Sequence, residues 1–176
     1  ASQNPRLWRE VELYKQALGA EPRDAQVHFS LGRLYARQGW AGEAEREYRW
    51  AVGDNPRHRD AWRQLAMLYA GQERLEEAAG VLRQIVAAWP DDVEAWSNLG
   101  VAYLTLGRLD EAEAAVTRGL AIDPSSPALH LNHGNVLRRR GRLGPALEEY
   151  RTGLRYRPGD ARLQQAVAQL ERTIGQ

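Results

Sequence analysis

AWSNLGVAYLTLGRLDEAEAAVTRGLAIDP, residues 95–124, decides the fold. Trp96, Leu99, Gly100 and Tyr103 follow one another at i, i+3, i+4 and i+7, the spacing that stacks side chains on one face of a helix. Gly107 then supplies a residue free to take the left-handed conformation that stops a helix. Asp110 and Glu111 place negative charge at the start of a second helix, where the macrodipole favours it. Ala112, Val116, Gly119 and Leu120 form the inner face of that helix. Pro124 closes it, because proline has no N–H to donate and holds the residue before it out of the helical region. The stretch predicts two antiparallel helices joined by a tight turn, with Gly100 and Ala112 small where the two must approach.

The same tile recurs in both directions. Pro22, Pro56, Pro90, Pro124 and Pro158 are each 34 residues apart, without insertion or deletion. In frames beginning at Ala25, Arg59, Val93 and Pro127, Leu31, Leu65 and Leu99 share a column with His133. Gly32, Ala66, Gly100 and Gly134 form the next column, then Tyr35, Tyr69, Tyr103 and Leu137. The second half of each frame carries Ala44, Ala78, Ala112 and Ala146, and four residues later Tyr48, Leu82, Val116 and Tyr150. Glu73 stands where the other frames have the turn glycine, so a local difference is expected in that turn.

These columns resemble the tetratricopeptide repeat (TPR), a 34-residue helix–turn–helix unit with Trp, Leu-Gly, Tyr, Ala and Pro at such offsets. The resemblance implies an all-α fold, a right-handed superhelical α-solenoid of antiparallel helix pairs. It places an N-terminal capping helix within 1–24, repeats at 25–58, 59–92, 93–126 and 127–160, and a C-terminal solvating helix within 161–176. Glu10 occupies the small-residue column of the first half-unit, where no first helix has to be accommodated, and residues 5–20 read as a capping helix with Asn4 as cap and Pro5 in its first turn. In the last helix Leu163, Val167, Leu170 and Ile174 are expected to face the fourth repeat, with Gln164 and Glu171 towards water, as the end of a finite stack requires.

Composition narrows the chemistry. The chain has 176 residues, 43% hydrophobic and 27% charged, the make-up of a folded protein rather than a disordered one. No apolar run approaches the ~18 residues that span a bilayer, and ASQNPRLWREVE lacks the apolar stretch of a secretory signal, so a soluble chain without membrane insertion is expected, with the cytoplasm favoured over the periplasm. Without cysteine there is no disulfide framework, thiolate nucleophile or sulfur-ligated zinc. A net charge of +1 argues against a surface built for nucleic acid. Of 24 basic residues only Lys15 is lysine, a bias that reads as a G+C-rich, bacterial coding genome. His130 and His133 are spaced like half a metal site, but His130 and His28 stand in the Trp column and His133 in the Leu column, so they are read as buried packing residues. No catalytic triad, P-loop or nucleotide fingerprint appears, and neither an enzyme, a cofactor nor a metal is expected.

In the TPR family the first helices line a concave surface. Ser30, Gln64, Asn98 and Asn132 fall in one groove-facing column and resemble in part the asparagine ladder of O-GlcNAc transferase-type TPRs, which holds extended polypeptide by its main chain. Phe29, Met67, Val101, Leu104 and Leu131 are placed beside them for apolar side chains of a ligand, and Arg33, Arg37, Arg63, Asn135, Arg138 and Arg139 as further donors. The two-carboxylate clamp of chaperone-binding TPRs fits poorly: Arg63 and Asn98 suit two places, but Met67, Ala128 and Asn132 occupy the others. The run RRRGR at 138–142 reads either as a solvated helix end or as a patch for an acidic peptide, with nucleic acid disfavoured because no aromatics interleave with the arginines. Trp40, Trp50 and Trp89 fall in columns that are usually polar. They either cover neighbouring repeats or mark a convex interface, for which self-association is the simplest partner. The expected function is a protein–protein interaction scaffold binding an extended peptide or protein segment. The alternatives are a homo-oligomeric structural scaffold and the targeting module of a larger enzyme.

Overall fold

A computed structural model describes residues 5–175. The described residues form ten helices: α1 Pro5–Ala20, α2 Ala25–Arg37, α3 Ala41–Asp54, α4 Arg59–Gly71, α5 Leu75–Ala88, α6 Val93–Thr105, α7 Leu109–Ile122, α8 Pro127–Arg139, α9 Leu143–Tyr156 and α10 Ala161–Ile174. Two compact units share them, one up to Val81 and one from Leu82, with the division inside α5. In the first unit α1 packs on α2, α2 on α3 and α3 on α4; in the second α6 packs on α7, α7 on α8, α8 on α9 and α9 on α10. None of the described helices is long and apolar enough to cross a membrane.

The punctuation of each helix pair follows from its residues. The residue before the frame-ending proline is extended at three of these prolines: Asn55 at φ −131° and ψ 92°, Asp123 at −127° and 87°, and Arg157 at −140° and 84°, the conformation a following proline imposes. The next helix is then capped by a side chain in one recurring column: Asp24 accepts from the backbone N–H groups of Gln26 and Val27, Asp92 from Ala95, Ser126 from Leu129 and Asp160 from Arg162 and Leu163. Such caps satisfy amide donors that the first turn of a helix leaves without intrahelical partners. Gly39, Gly107 and Gly141 take φ of 76°, 75° and 74° in the turns. Glu73 takes φ 60° in the same turn, so it copies the glycine geometry and the expected difference is one of strain rather than of shape.

The pairs α2–α3, α6–α7 and α8–α9 close tightly because one residue of the contact, Gly32, Gly100 or Gly134, has no side chain. A Cβ at Gly134 would lie 2.3 Å from the Tyr150 ring, and one at Gly100 would lie 2.5 Å from Val116. Tyr48, Ile85, Leu129, Val136, Tyr150 and Leu163 are fully buried around these contacts, and Ala44, Ala78, Ala112 and Ala146 have no exposed surface. At the C-terminal end Leu163 and Leu170 are buried and Val167 packs partly against the same cluster. Ile174, expected to join them, is 48% exposed, because it lies in the last turn of α10. Gln164 and Glu171 are exposed as expected. The expected cap Asn4 lies outside the described residues.

Candidate functional site

The residues singled out for a groove divide between the two units. In the first, Met67 on α4 is 62% exposed, and Arg33 and Arg37 on α2 are exposed. Ser30, Arg63 and Gln64 are half-buried, and Gln64 Nε2 lies 3.9 Å from Met67 Sδ. Phe29 does not line a ligand surface. It is buried, its ring 4.6 Å from that of His58 and 6.2 Å from that of Tyr48, with the Arg33 guanidinium 5.7 Å above it. The reason is packing: α4 lies against α3, and the cap residue His58 closes over Phe29.

In the second unit Asn98 and Val101 lie exposed on α6 with half-buried Leu104 beside them. Asn132 is buried, and its Nδ2 donates to Ser97 Oγ at 3.0 Å and to the Ser97 carbonyl at 3.5 Å. It ties α8 to α6, so its amide N–H is spent inside the protein and only Asn98 of the two asparagines offers a whole amide. Leu131 packs against the cluster of Leu137, Tyr150, Leu163 and Leu170 instead of standing open. Asn135 accepts from the Tyr150 hydroxyl at 2.9 Å. A pocket of about 290 Å³ opens here between α8, α9 and α10, lined by Asn135, Arg138, Leu143, Tyr150, Leu170 and Thr173. Burial pushes the Tyr150 phenol up, and the Arg138 guanidinium beside it opposes that shift.

The basic run is put to several uses. Arg140 pairs with Asp110 and places its Nε 3.0 Å from Glu113, joining the end of α8 to α7. Arg138 faces the pocket, and Arg139 is exposed. The tryptophans also divide. Trp40 is half-buried between Trp8 and Tyr35, at ring distances of 5.5 and 5.7 Å, and so covers α1 instead of standing out as an interface residue. Trp89 is half-buried. Trp50 is 54% exposed, stacked at 5.9 Å on His28.

Ten helices of this length and punctuation agree with the match of the sequence to the tetratricopeptide repeat at residues 11–44, 41–93, 63–127 and 107–170. The chain belongs to the tetratricopeptide repeat family. YrrB, a TPR protein with an unusual peptide-binding site, superposes with a TM-score of 0.80 at 22% identity, over 92% of this chain and 83% of its own. A TPR protein from Parabacteroides merdae gives 0.83 at 23% identity, over 96% and 67%, and MamA gives 0.75 at 20%, over 83% and 85%. At these identities the likeness is one of fold. No curated protein sequence matches the chain. The TPR fold is in general a non-catalytic protein-interaction fold.

A hydrogen-bonded column recurs through both units. His28, Trp62, Trp96, His130 and Gln164 stand 34 residues apart, and each puts a side-chain nitrogen against the carbonyl of the proline six residues earlier. The distances are 3.2 Å to Pro22, 3.0 Å to Pro56, 2.9 Å to Pro90, 2.9 Å to Pro124 and 2.8 Å to Pro158. Where the residue is histidine, the second ring nitrogen meets a glutamate: His28 Nδ1 lies 2.7 Å from Glu47 and His130 Nδ1 lies 2.8 Å from Glu149. Half-buried His133 lies 3.2 Å from the other Glu149 oxygen. His133 beside it holds the Glu149 carboxyl below its ordinary range, burial opposes the shift, and the hydrogen bond with His130 adds to it. His28 and His130 thus pack as expected, but as members of hydrogen-bonded pairs. The available signal was a glutamate at the same place in the two frames that carry histidine, against Val81 and Ala115 in the two that carry tryptophan.

Proposed function

We propose that this TPR chain is a non-catalytic interaction scaffold of four repeats, 25–58, 59–92, 93–126 and 127–160, capped by residues 1–24 and 161–176. It holds an extended segment of another protein against the first helices of its repeats. The observation that carries this reading is a pair of apolar side chains left in water. Met67 and Val101 stand in the same column and are 62% and 43% exposed, while Ala66, Gly100 and Ala102 beside them are buried and Leu68 is half-buried. Exposed apolar surface of this kind, next to an amide that is not spent internally, suits an apolar ligand side chain beside a main-chain contact. Asn98 is that amide, and Arg138 and Arg139 bias the second unit towards a segment with acidic residues.

The test is a pull-down with wild-type protein and with Asn98→Ala/Val101→Glu, bound chains being identified by mass spectrometry. Both positions are exposed, so the variant is expected to keep the wild-type circular dichroism and thermal midpoint. A partner retained by the wild type and lost by the variant supports the reading. Equal recovery by both sinks it.

Trp50 favours a second reading, self-association through α3. An indole 54% exposed between Gly42 and Gly53, beside an open groove of about 700 Å³, is a ready hot spot for a second copy. Light scattering over a concentration series decides it: a mass that rises with concentration in wild type and not in Trp50→Ser supports a dimer.

A further inference from the structure

On the side of α6 turned away from Asn98 and Val101, a groove of about 560 Å³ runs between the C-terminal part of α5 and α7. Trp96 and Tyr103 lie in its floor, Val86 and Ala114 in its walls, and Arg83 and Arg118 at its edges. Its origin can be read from the columns. In the first and fourth repeats, glutamate fills the place of Ala115 and the protein covers the histidine in the place of Trp96 with its own aromatic ring, Trp50 over His28 at 5.9 Å and Tyr156 over His130 at 5.7 Å. In the third repeat Ala115 is a methyl group, Arg118 stands where the first repeat has Trp50, and Ile122 where the fourth has Tyr156. The indole of Trp96 therefore keeps its bond to Pro90 and remains half-buried, with no ring stacked on it among the described residues. Arg83 and Arg118 are both exposed, and among the described residues neither joins an ion pair.

We infer that this groove is a second binding site, which takes an acidic amphipathic helix of a partner protein. Its apolar residues pack on Trp96 between α5 and α7, and its carboxylates pair with Arg83 and Arg118. The apolar floor calls for an apolar stripe, and the groove between two helices suits a third helix laid along it. Two guanidiniums that join no ion pair among the described residues, at the edges, call for acidic residues beside that stripe. A nucleic acid fits less well, since its continuous run of phosphates would have to lie along apolar walls, whereas an amphipathic helix sets its carboxylates beside an apolar stripe. The site is separate from the face proposed for the extended segment and does not rest on that proposal.

The probe is a synthetic amphipathic peptide of about 18 residues, long enough to form a helix, with a leucine stripe flanked by glutamates. It is titrated against the full chain while the indole N–H resonance of Trp96 is followed. Expected are saturable binding with movement of that resonance, and affinity at least about tenfold weaker for Arg83→Ser/Arg118→Ser and for the same peptide with lysine in place of glutamate. Ala114→Trp, at an exposed position, should fill the groove and weaken binding while the thermal midpoint holds. Asn98→Ala/Val101→Glu should bind the peptide as wild type does. The inference is overturned by no saturable binding below about 1 mM, by equal affinity of the lysine peptide, by indifference to the arginine or Ala114 substitutions, or by tighter binding of a single-stranded oligonucleotide that moves the same resonance. Loss of peptide binding in Asn98→Ala/Val101→Glu alone would transfer the peptide to the other face and leave only the scaffold proposal standing.

Discussion

Nδ1 of His28 lies 2.7 Å from the Glu47 carboxylate, 19 residues away on the next helix, and both residues are buried. Neither is replaceable alone: removing one leaves a buried polar group without its partner, a cost of about 1–3 kcal/mol. The third repeat shows the apolar solution, Trp96 beside Ala115. His28→Trp and Glu47→Ala are each expected to destabilise, and the double variant to be more stable than the two losses added, by at least about 1 kcal/mol. Urea denaturation of the four proteins measures the cycle. Additive losses would show that the pair does not act as a unit.

What the sequence revealed was what recurs. The prolines, the turn glycines and the small residue facing Val116 or Tyr150 are set by contacts inside one helix pair, and four frames repeat them. The helical pattern gives the face on which a side chain stands, but not which faces the neighbouring element covers. The pattern of α2 alone leaves Phe29 on a ligand surface, and it is His58, at the cap of α4, that closes over it. Asn132 likewise belongs to the small-polar column of its own frame, yet its partner Ser97 lies in the frame before. The His28–Glu47 pair is legible only across two columns, because glutamate stands in the second wherever histidine stands in the first.

Glu73 takes φ 60° where three glycines take nearly the same turn. A side chain in the left-handed region costs about 1–2 kcal/mol, whereas glycine pays about 0.5–1 kcal/mol in added freedom of the unfolded chain. Glu73→Gly should therefore stabilise, by about 1.5 kcal/mol at most, seen as a higher thermal midpoint. A lower midpoint would mean that the glutamate side chain contributes more than its backbone costs.

Tyr48 and Tyr150 occupy the same column and are equally buried, but only Tyr150 has an acceptor, Asn135 at 2.9 Å. Among the described residues the Tyr48 hydroxyl has no hydrogen-bond partner, and burial pushes its pKa up to about 12, partly opposed by Arg33. The residue in the place of Asn135 is Arg33, which offers no acceptor. Tyr150→Phe should cost about 1 kcal/mol, and Tyr48→Phe should be neutral or stabilising, because a buried hydroxyl without a partner is a liability. Thermal unfolding of the two variants gives the comparison, and equal losses would contradict it.

Glu45 is the group to follow for acid stability in the first unit. Arg74 grips its two oxygens at 2.5 and 3.3 Å, and the Tyr69 hydroxyl donates to it at 3.1 Å. The hydrogen bond from Arg74 holds its carboxyl below the ordinary value of 4.5, with burial opposing and Tyr69 assisting. Because the folded pKa lies below the unfolded one, the folded state gains from ionised Glu45 at every pH above about 4.5 and loses that gain as pH falls through the lower, folded value. Glu45→Gln removes the charge at all pH values. Its stability deficit relative to wild type should be constant from pH 7 to about 5 and should close towards pH 3. Urea denaturation at several pH values measures the difference, and a deficit as large at pH 3 as at pH 7 would show that Glu45 acts through packing and not through its charge.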